Sequence, residues 1–154
     1  MHGQQYYDKK CGSFGDISTF SFYPNKLITT GEGGMILTDN NELNEACRKL
    51  RNLAFEPRKK RFVHYEMGWN YRMTNLQAAL GLAQLENIEK HINRKREIGK
   101  LYNDLLNDTN YIKLMPTKTK YSENIYWVYS ILLEDIFPLD AEMMMIKLKD
   151  EGIG

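Results

Sequence analysis

The run Gly15-Asp16-Ile17-Ser18-Thr19-Phe20-Ser21-Phe22-Tyr23-Pro24-Asn25-Lys26-Leu27-Ile28-Thr29-Thr30-Gly31-Glu32-Gly33-Gly34 restricts the fold more than any other part of this chain. Ile17 to Tyr23 is rich in β-branched and aromatic residues, which pack well on a pleated surface, and it reads as a strand. Gly31 to Gly34 supplies the backbone freedom of a turn. Met35 to Thr38 then reads as a second short strand, hairpin-paired with the first or lying beside it. Lys26 therefore ends an apolar, aromatic strand, with a Gly-rich turn behind it.

Helical periodicity takes over beyond this unit. Asp39 followed by Glu42 predicts an N-cap with its capping-box partner, and Leu43, Ala46, Cys47, Leu50 and Leu53 recur at helical spacing. Glu56 to Asn70 has no clean period and contains Pro57 and Gly68, so a functional or mobile loop is expected there. Thr74 with Gln77 is a second capping box. Leu76, Ala79, Leu80 and Ala83, then Leu85, Ile88 and Ile92, predict a well-buried helix, and Ile98, Leu101, Tyr102, Leu105 and Leu106 a further one. Past Pro116, Tyr126 to Leu133 reads as a strand and Asp140 to Glu151 as a helix ended by Gly152. Alternating strands and helices place the chain in the α/β class. The change of texture past Pro116 predicts a second, smaller α+β domain, with a boundary near residues 110–120.

Composition excludes several function classes. Of 154 residues, 42% are apolar and 27% charged, ordinary for a globular protein and unlike a disordered one. Lysine plus arginine (21) nearly cancels aspartate plus glutamate (20), leaving a net charge of +1 and no global pull toward nucleic acid or an anionic membrane. No apolar run approaches the roughly 20 residues of a bilayer span, and no signal-peptide pattern opens the chain. Cys11 and Cys47 lack CxxC spacing and His or Cys neighbours, so a reduced, cytoplasmic protein without a metal site is expected. The cluster Arg58-Lys59-Lys60-Arg61 suggests nucleic acid in isolation, but with near-neutral overall charge it reads first as a solvated loop and second as a nucleotide-sugar contact. Met143-Met144-Met145 reads as core filling.

On the residues alone, Lys26 admits two readings. Most lysines are solvated surface groups. Against that stand the apolar run before it, a serine (Ser21) placed to donate to a phosphate, and a Thr29-Thr30-Gly31 segment that lets backbone approach a ligand. An amine held out of water suits Schiff-base chemistry, and a nearby hydroxyl suits a phosphate. Pyridoxal phosphate (PLP) needs both, but these residues by themselves leave the choice open.

Gly12 to Thr38 resembles the cofactor-lysine region of the DegT/StrS-type sugar aminotransferases. The block Gly68-Trp69-Asn70-Tyr71-Arg72-Met73-Thr74-Asn75-Leu76-Gln77-Ala78-Ala79-Leu80-Gly81 looks like the same family's downstream signature. Two long motifs in the right order are far more specific than a lone Gly-rich loop. The resemblance covers essentially the whole chain and weakens after about Lys113. It implies part of a PLP-dependent transferase large domain of the aspartate aminotransferase type, followed by the start of the small domain.

The resemblance also implies roles. Lys26 would form the imine with PLP, Ser21 would bind its phosphate, and Asn70 would reach across a homodimer to the phosphate in the partner's site. Arg72 is assigned to the substrate's phosphates, which suit its planar fork of donors; an ordinary surface arginine is the other reading. His64 is a candidate substrate contact beside a structural or solvated reading. The carboxylate that pairs with the pyridine nitrogen and the aromatic that stacks on the ring would precede His2-Gly3. An internal fragment with an incomplete site is therefore expected.

The implied reaction is transamination of a keto-sugar nucleotide in two half-reactions, with glutamate as amino donor and Lys26 moving the proton. Related sugar dehydratases carry histidine where Lys26 stands, so lysine favours transamination. Phe55 to His64 with Gly68-Trp69-Asn70 looks most like the perosamine synthase branch, which aminates C4 of GDP-4-keto-6-deoxymannose. The alternative is a non-catalytic α/β dimerisation or sugar-nucleotide-binding module. Only the enzyme requires a reducible imine at Lys26. Half an α/β sheet would also expose apolar surface and an unpaired edge, so self-association is expected.

Overall fold

The computed structural model describes residues 2–56 and 59–154. The chain divides into two compact units, Met1–Ile92 and Asn93–Gly154.

In the first unit, β1 (Gln5–Tyr6) and β2 (Lys9–Lys10) form a small antiparallel pair. No periodicity predicts strands of two exposed residues. The expected pair is present as β3 (Ser18–Ser21) and β4 (Gly34–Leu37), antiparallel with Ser18 opposite Leu37 and Ser21 opposite Gly34. Phe22 then closes a loop: its N–H donates to Gly33 O (2.9 Å), and its carbonyl accepts from the Thr30 N–H (3.0 Å) and the Thr29 hydroxyl (2.9 Å).

Helix α1 (Asn41–Leu50) is capped by Asn40, one residue later than predicted; its Oδ1 accepts from the Leu43 N–H at 3.1 Å. Thr38 explains the shift. Its hydroxyl donates to Asp16 O (2.6 Å) and accepts from the Asn40 N–H (3.1 Å), leaving Asn40 as the cap. Leu53 falls outside the helix. Leu53 and Ala54 adopt φ of 61° and 53° because the main chain here bonds to the Trp69–Tyr71 stretch instead. Leu53 N–H donates to Trp69 O (2.9 Å), Trp69 N–H to Leu50 O (2.7 Å) and Tyr71 N–H to Arg51 O (2.9 Å). Gly68 permits this approach, since a Cβ there would lie 2.3 Å from Ala54 N. No helix or strand occupies the described part of the predicted loop, save an isolated bridge from Asn70 to Asn52. Pro57 and Arg58 lie outside the described residues.

The Thr74 capping box forms as predicted at the start of α2 (Asn75–Leu85). The rest of that expectation fails in two ways. The helix stops at Leu85, and α3 (Ile88–Leu106) starts after Glu86-Asn87 and runs unbroken through the expected gap before Ile98. Asn87 makes the break: its amide donates to Ala83 O at 2.9 Å and its main-chain N–H turns to Gln84 O at 3.1 Å. Burial also fails, because Leu76 is 80% exposed and Leu80 59%, while Ile92 is buried. Helical spacing identifies an apolar face; it does not say where the cover comes from, and α2 has no buried residue among those described.

The second unit contains β5 (Ile112–Leu114), which was not predicted, paired antiparallel with β6 (Ile131–Leu133). The predicted strand Tyr126 to Leu133 shrinks to its last part because Tyr126 turns into a buried cluster at φ 48°. Its ring occupies the place of a side chain at Gly99, where a Cβ would lie 2.3 Å away. Tyr126 Oη donates to Thr117 Oγ1 (3.0 Å), Tyr129 Oη to Asn103 Oδ1 (2.6 Å), and Tyr102 stacks on Tyr129 at 4.7 Å. Helix α4 (Ala141–Asp150) forms as predicted under its Asp140 cap. Gly152, at φ 76°, ends it: Gly152 N–H donates to Lys149 O (3.0 Å) and Ile153 N–H to Leu148 O (2.8 Å). Met143 and Met145 are exposed rather than core filling. No described helix is long and apolar enough to cross a membrane.

Candidate functional site

Lys26 lies in the turn beyond β3 rather than at the strand's end. Its N–H donates to Tyr23 O at 3.0 Å, and the residue is half-buried. Ser21 is the last residue of β3, and its hydroxyl accepts from the Tyr23 N–H at 3.3 Å. The loop closed by Phe22 and Thr30 thus carries Lys26 on one arm and starts directly after Ser21. Ile28 and Thr30, both buried, root it.

Side chains from elsewhere in this unit hold the loop's main chain. His2 Nδ1 accepts from the Ile28 N–H at 3.2 Å, and its ring stacks on Phe20 (5.9 Å, 20°) and tilts against Phe22 (5.5 Å, 41°). Burial first, and then the charge of the chain's N-terminus, push the imidazole below its ordinary value; a hydrogen bond to the Ser21 main chain opposes them, and the Lys26 charge adds the smallest push. Gln84 accepts from the Thr29 N–H (3.1 Å) and donates to Thr29 O (2.7 Å), and Gln77 donates to Glu32 O (3.0 Å).

These contacts make α2 a wall for the Lys26 loop. Along the wall, Met73 meets Gly33, Gln77 meets Glu32, Gly81 meets Thr30 and Gln84 meets Thr29, so helix and loop run in opposite directions. Two positions have no room for a Cβ at ordinary distance: at Gly33 it would lie 2.7 Å from Thr30 Oγ1, and at Gly81 3.0 Å from Thr30 Cγ2. At Gly31, by contrast, nothing lies within 4 Å, and the loop is open there. The two sequence motifs are therefore one packed unit.

Asn70 and Arg72 are exposed on the stretch that leads through Met73 into α2. Trp69 and Tyr71, the sequence neighbours of Asn70, stack on each other at 6.1 Å. His64 is exposed and packs against Phe55 at 4.8 Å. Its segment is tied to α1 through Lys49, whose ammonium pairs with Glu66 and lies 3.1 Å from Glu56. Those carboxylates, Glu66 first, hold Lys49 above its usual range. In the basic cluster, Lys59 lies over the Tyr65 ring (5.6 Å) and Arg61 over Phe62 (5.0 Å); Arg58 is outside the described residues. Sequence reading missed the holding roles of His2 and Gln84 and saw Gln77 only as a cap. A usable signal existed for the glutamines: two amides seven residues apart on an otherwise apolar helix share a face.

The donor set fits PLP by its chemistry. It offers a half-buried primary amine for the aldehyde, a hydroxyl at a strand end for the phosphate, and a glycine crest open to a ligand.

Comparison with known proteins agrees with this fit. The profile of the DegT/DnrJ/EryC1/StrS aminotransferase family matches residues 1–154. The chain is 39% identical over 149 residues to GDP-perosamine synthase of Vibrio cholerae, covering 94% of this chain and 39% of that protein. It is 40% identical over 151 residues to GDP-perosamine synthase of Caulobacter vibrioides, covering 98% of this chain and 40% of the relative. The chain thus spans about two fifths of the length of these curated relatives. Among solved structures, Helicobacter pylori PseC, an aminotransferase involved in pseudoaminic acid biosynthesis, superposes with a TM-score of 0.84 at 31% identity. That match covers 97% of this chain and 40% of PseC. The fold is that of the PLP-dependent sugar aminotransferases, and the chain belongs to the DegT/DnrJ/EryC1/StrS aminotransferase family.

Proposed function

We propose that this chain carries the cofactor lysine of a PLP-dependent aminotransferase that converts a keto-sugar nucleotide, GDP-4-keto-6-deoxymannose, to GDP-perosamine with glutamate as donor. The observation that supports the reading is the packing of the Lys26 loop on α2, which brings both motifs together through hydrogen bonds from Gln84 and Gln77. The names of the Vibrio and Caulobacter relatives support the sugar.

When bound, PLP supplies the electron sink for breaking a bond at the amino donor's α-carbon. Lys26 Nζ would hold the cofactor at its aldehyde carbon and, as a free amine, would accept the proton from the donor's α-carbon and hold it as an ammonium until it is passed on. Ser21 donates its hydroxyl to the cofactor phosphate. Asn70 reaches the same phosphate from the second subunit of a homodimer, Arg72 pairs with the substrate's phosphates, and His64 contacts the sugar nucleotide. Residues 1–112 belong to the large domain and 113–154 open the small one.

The test uses the full-length protein with GDP-4-keto-6-deoxymannose and glutamate, reading 2-oxoglutarate and aminated sugar together. Lys26→Ala should lower both by at least about a thousandfold, because it removes the anchoring amine and the proton carrier at once. Amination of a UDP-linked keto-sugar instead of the GDP-linked one would remove the perosamine assignment. Unchanged turnover in Lys26→Ala would remove Lys26 as the cofactor lysine, and absence of both products with the wild type would remove the enzyme reading and leave the binding module.

A further inference from the structure

We propose that Gln84 is a positioning residue for the Lys26 loop: its amide clamps both main-chain polar groups of Thr29 and so fixes the main chain from which Lys26 extends. This rests on the assignment of Lys26 as the cofactor lysine and deepens it.

The geometry is that of a one-residue β-ladder made by a side chain. Gln84 Oε1 accepts from the Thr29 N–H at 3.1 Å, and Nε2 donates to Thr29 O at 2.7 Å. The second proton of Nε2 goes to Leu80 O in the preceding turn of α2, also at 2.7 Å. Both donors of the amide are thus committed. The bond to Leu80 matters for orientation, because it fixes which end of the amide is oxygen: only the NH2 end can satisfy two carbonyls. Gln84 therefore meets Thr29 in one sense, held by its own helix.

Thr29 is the point where such a clamp has most effect. Its hydroxyl donates to Phe22 O at 2.9 Å and accepts from the Gly31 N–H at 3.0 Å, and Thr30 N–H also donates to Phe22 O at 3.0 Å. Phe22 follows Ser21 directly. Fixing Thr29 thereby fixes the base of the loop, with Ser21 entering it on one side and Lys26 carried within it. The neighbours Ile28 and Thr30 are 3% and 4% exposed, so the flanking residues cannot slide without exposing apolar surface. Gln77 does less at the far end, with one donor to Glu32 O.

Substitution separates positioning from simple packing. Gln84→Met keeps the length and removes every hydrogen bond. Gln84→Glu keeps the shape but, when ionised, presents lone pairs to the Thr29 and Leu80 carbonyls; when protonated, it can again donate to Thr29 O and accept from Thr29 N–H. In the full-length protein without cofactor, Gln84→Met should speed hydrogen exchange at Ile28 to Thr30 by about tenfold, while exchange in α3 stays unchanged. Added PLP followed by borohydride should label Lys26 about tenfold more slowly than in wild type. For Gln84→Glu, the labelling rate relative to wild type at each pH should recover as acid protonates the introduced carboxyl, whereas the ratio for Gln84→Met stays flat. Normal labelling of Lys26 in Gln84→Met would overturn the proposal, as would a pH-independent ratio in Gln84→Glu or an exchange increase spread over the whole protein. Failure of wild type to label Lys26 would instead overturn the assignment of the lysine, and this proposal with it.

Discussion

His2 joins three parts of the Lys26 region at the level of a single side chain. Its ring lies against Phe20 and Phe22 while Nδ1 takes the Ile28 N–H, a bond that only an unprotonated nitrogen can accept. Burial holds the folded imidazole below its reference value of 6.5. The unfolded chain therefore binds more protons in the window just below that value, and folding stability from this group is full above pH 6.5 and is lost as pH falls through the lower folded value. Between about pH 8 and pH 5.5, the thermal midpoint of the full-length protein should drop further than that of a His2→Gln variant, which has no charge to gain. Equal drops would show that His2 contributes nothing to the acid sensitivity. At the residue scale the motif drew attention to Lys26 and Ser21, which the structure places in the turn beyond β3 and at its last residue. The roles of His2 and Gln84 were illegible, because they depend on partners 26 and 55 residues away.

Elements were legible where their signals are local. The Thr74–Gln77 box involves residues within one turn and formed as read, and α4 formed where its spacing placed it, with Asp140 serving as its cap. The α1 cap moved to Asn40, and β6 lost its first half, because distant groups decided them: Asp16 through Thr38 in one case, the Gly99 gap under Tyr126 in the other. The α2 stripe shows the limit of periodicity, which located the helix and misplaced its burial. Since the Thr74 box satisfies two end groups of the helix that walls the Lys26 loop, Thr74→Ala should cost about 1 kcal/mol in urea unfolding. Thr74→Ser should keep most of that, because the hydroxyl remains. If Thr74→Ala and wild type unfold at the same urea concentration, the box contributes nothing to the wall.

At the scale of the molecule, each unit has a small core. Ile28, Ala54 and Ile92 are the buried apolar residues described in the first, and Ile125 and Tyr126 those in the second. All four residues of β4 and the leucines of α2 stay exposed in the first unit. The apolar surface expected from half of an α/β layer is there. Family and fold were legible because two motifs carry them. The sugar was not legible in the same way, since it rests on the names of relatives of which this chain spans about two fifths. The central claim still reduces to one amine. Incubating the full-length protein with PLP, reducing with borohydride and mapping the peptides by mass should place the pyridoxyl group on Lys26 and leave the remaining lysines essentially unlabelled. A pyridoxyl group on another lysine, or spread evenly over many, would contradict the account.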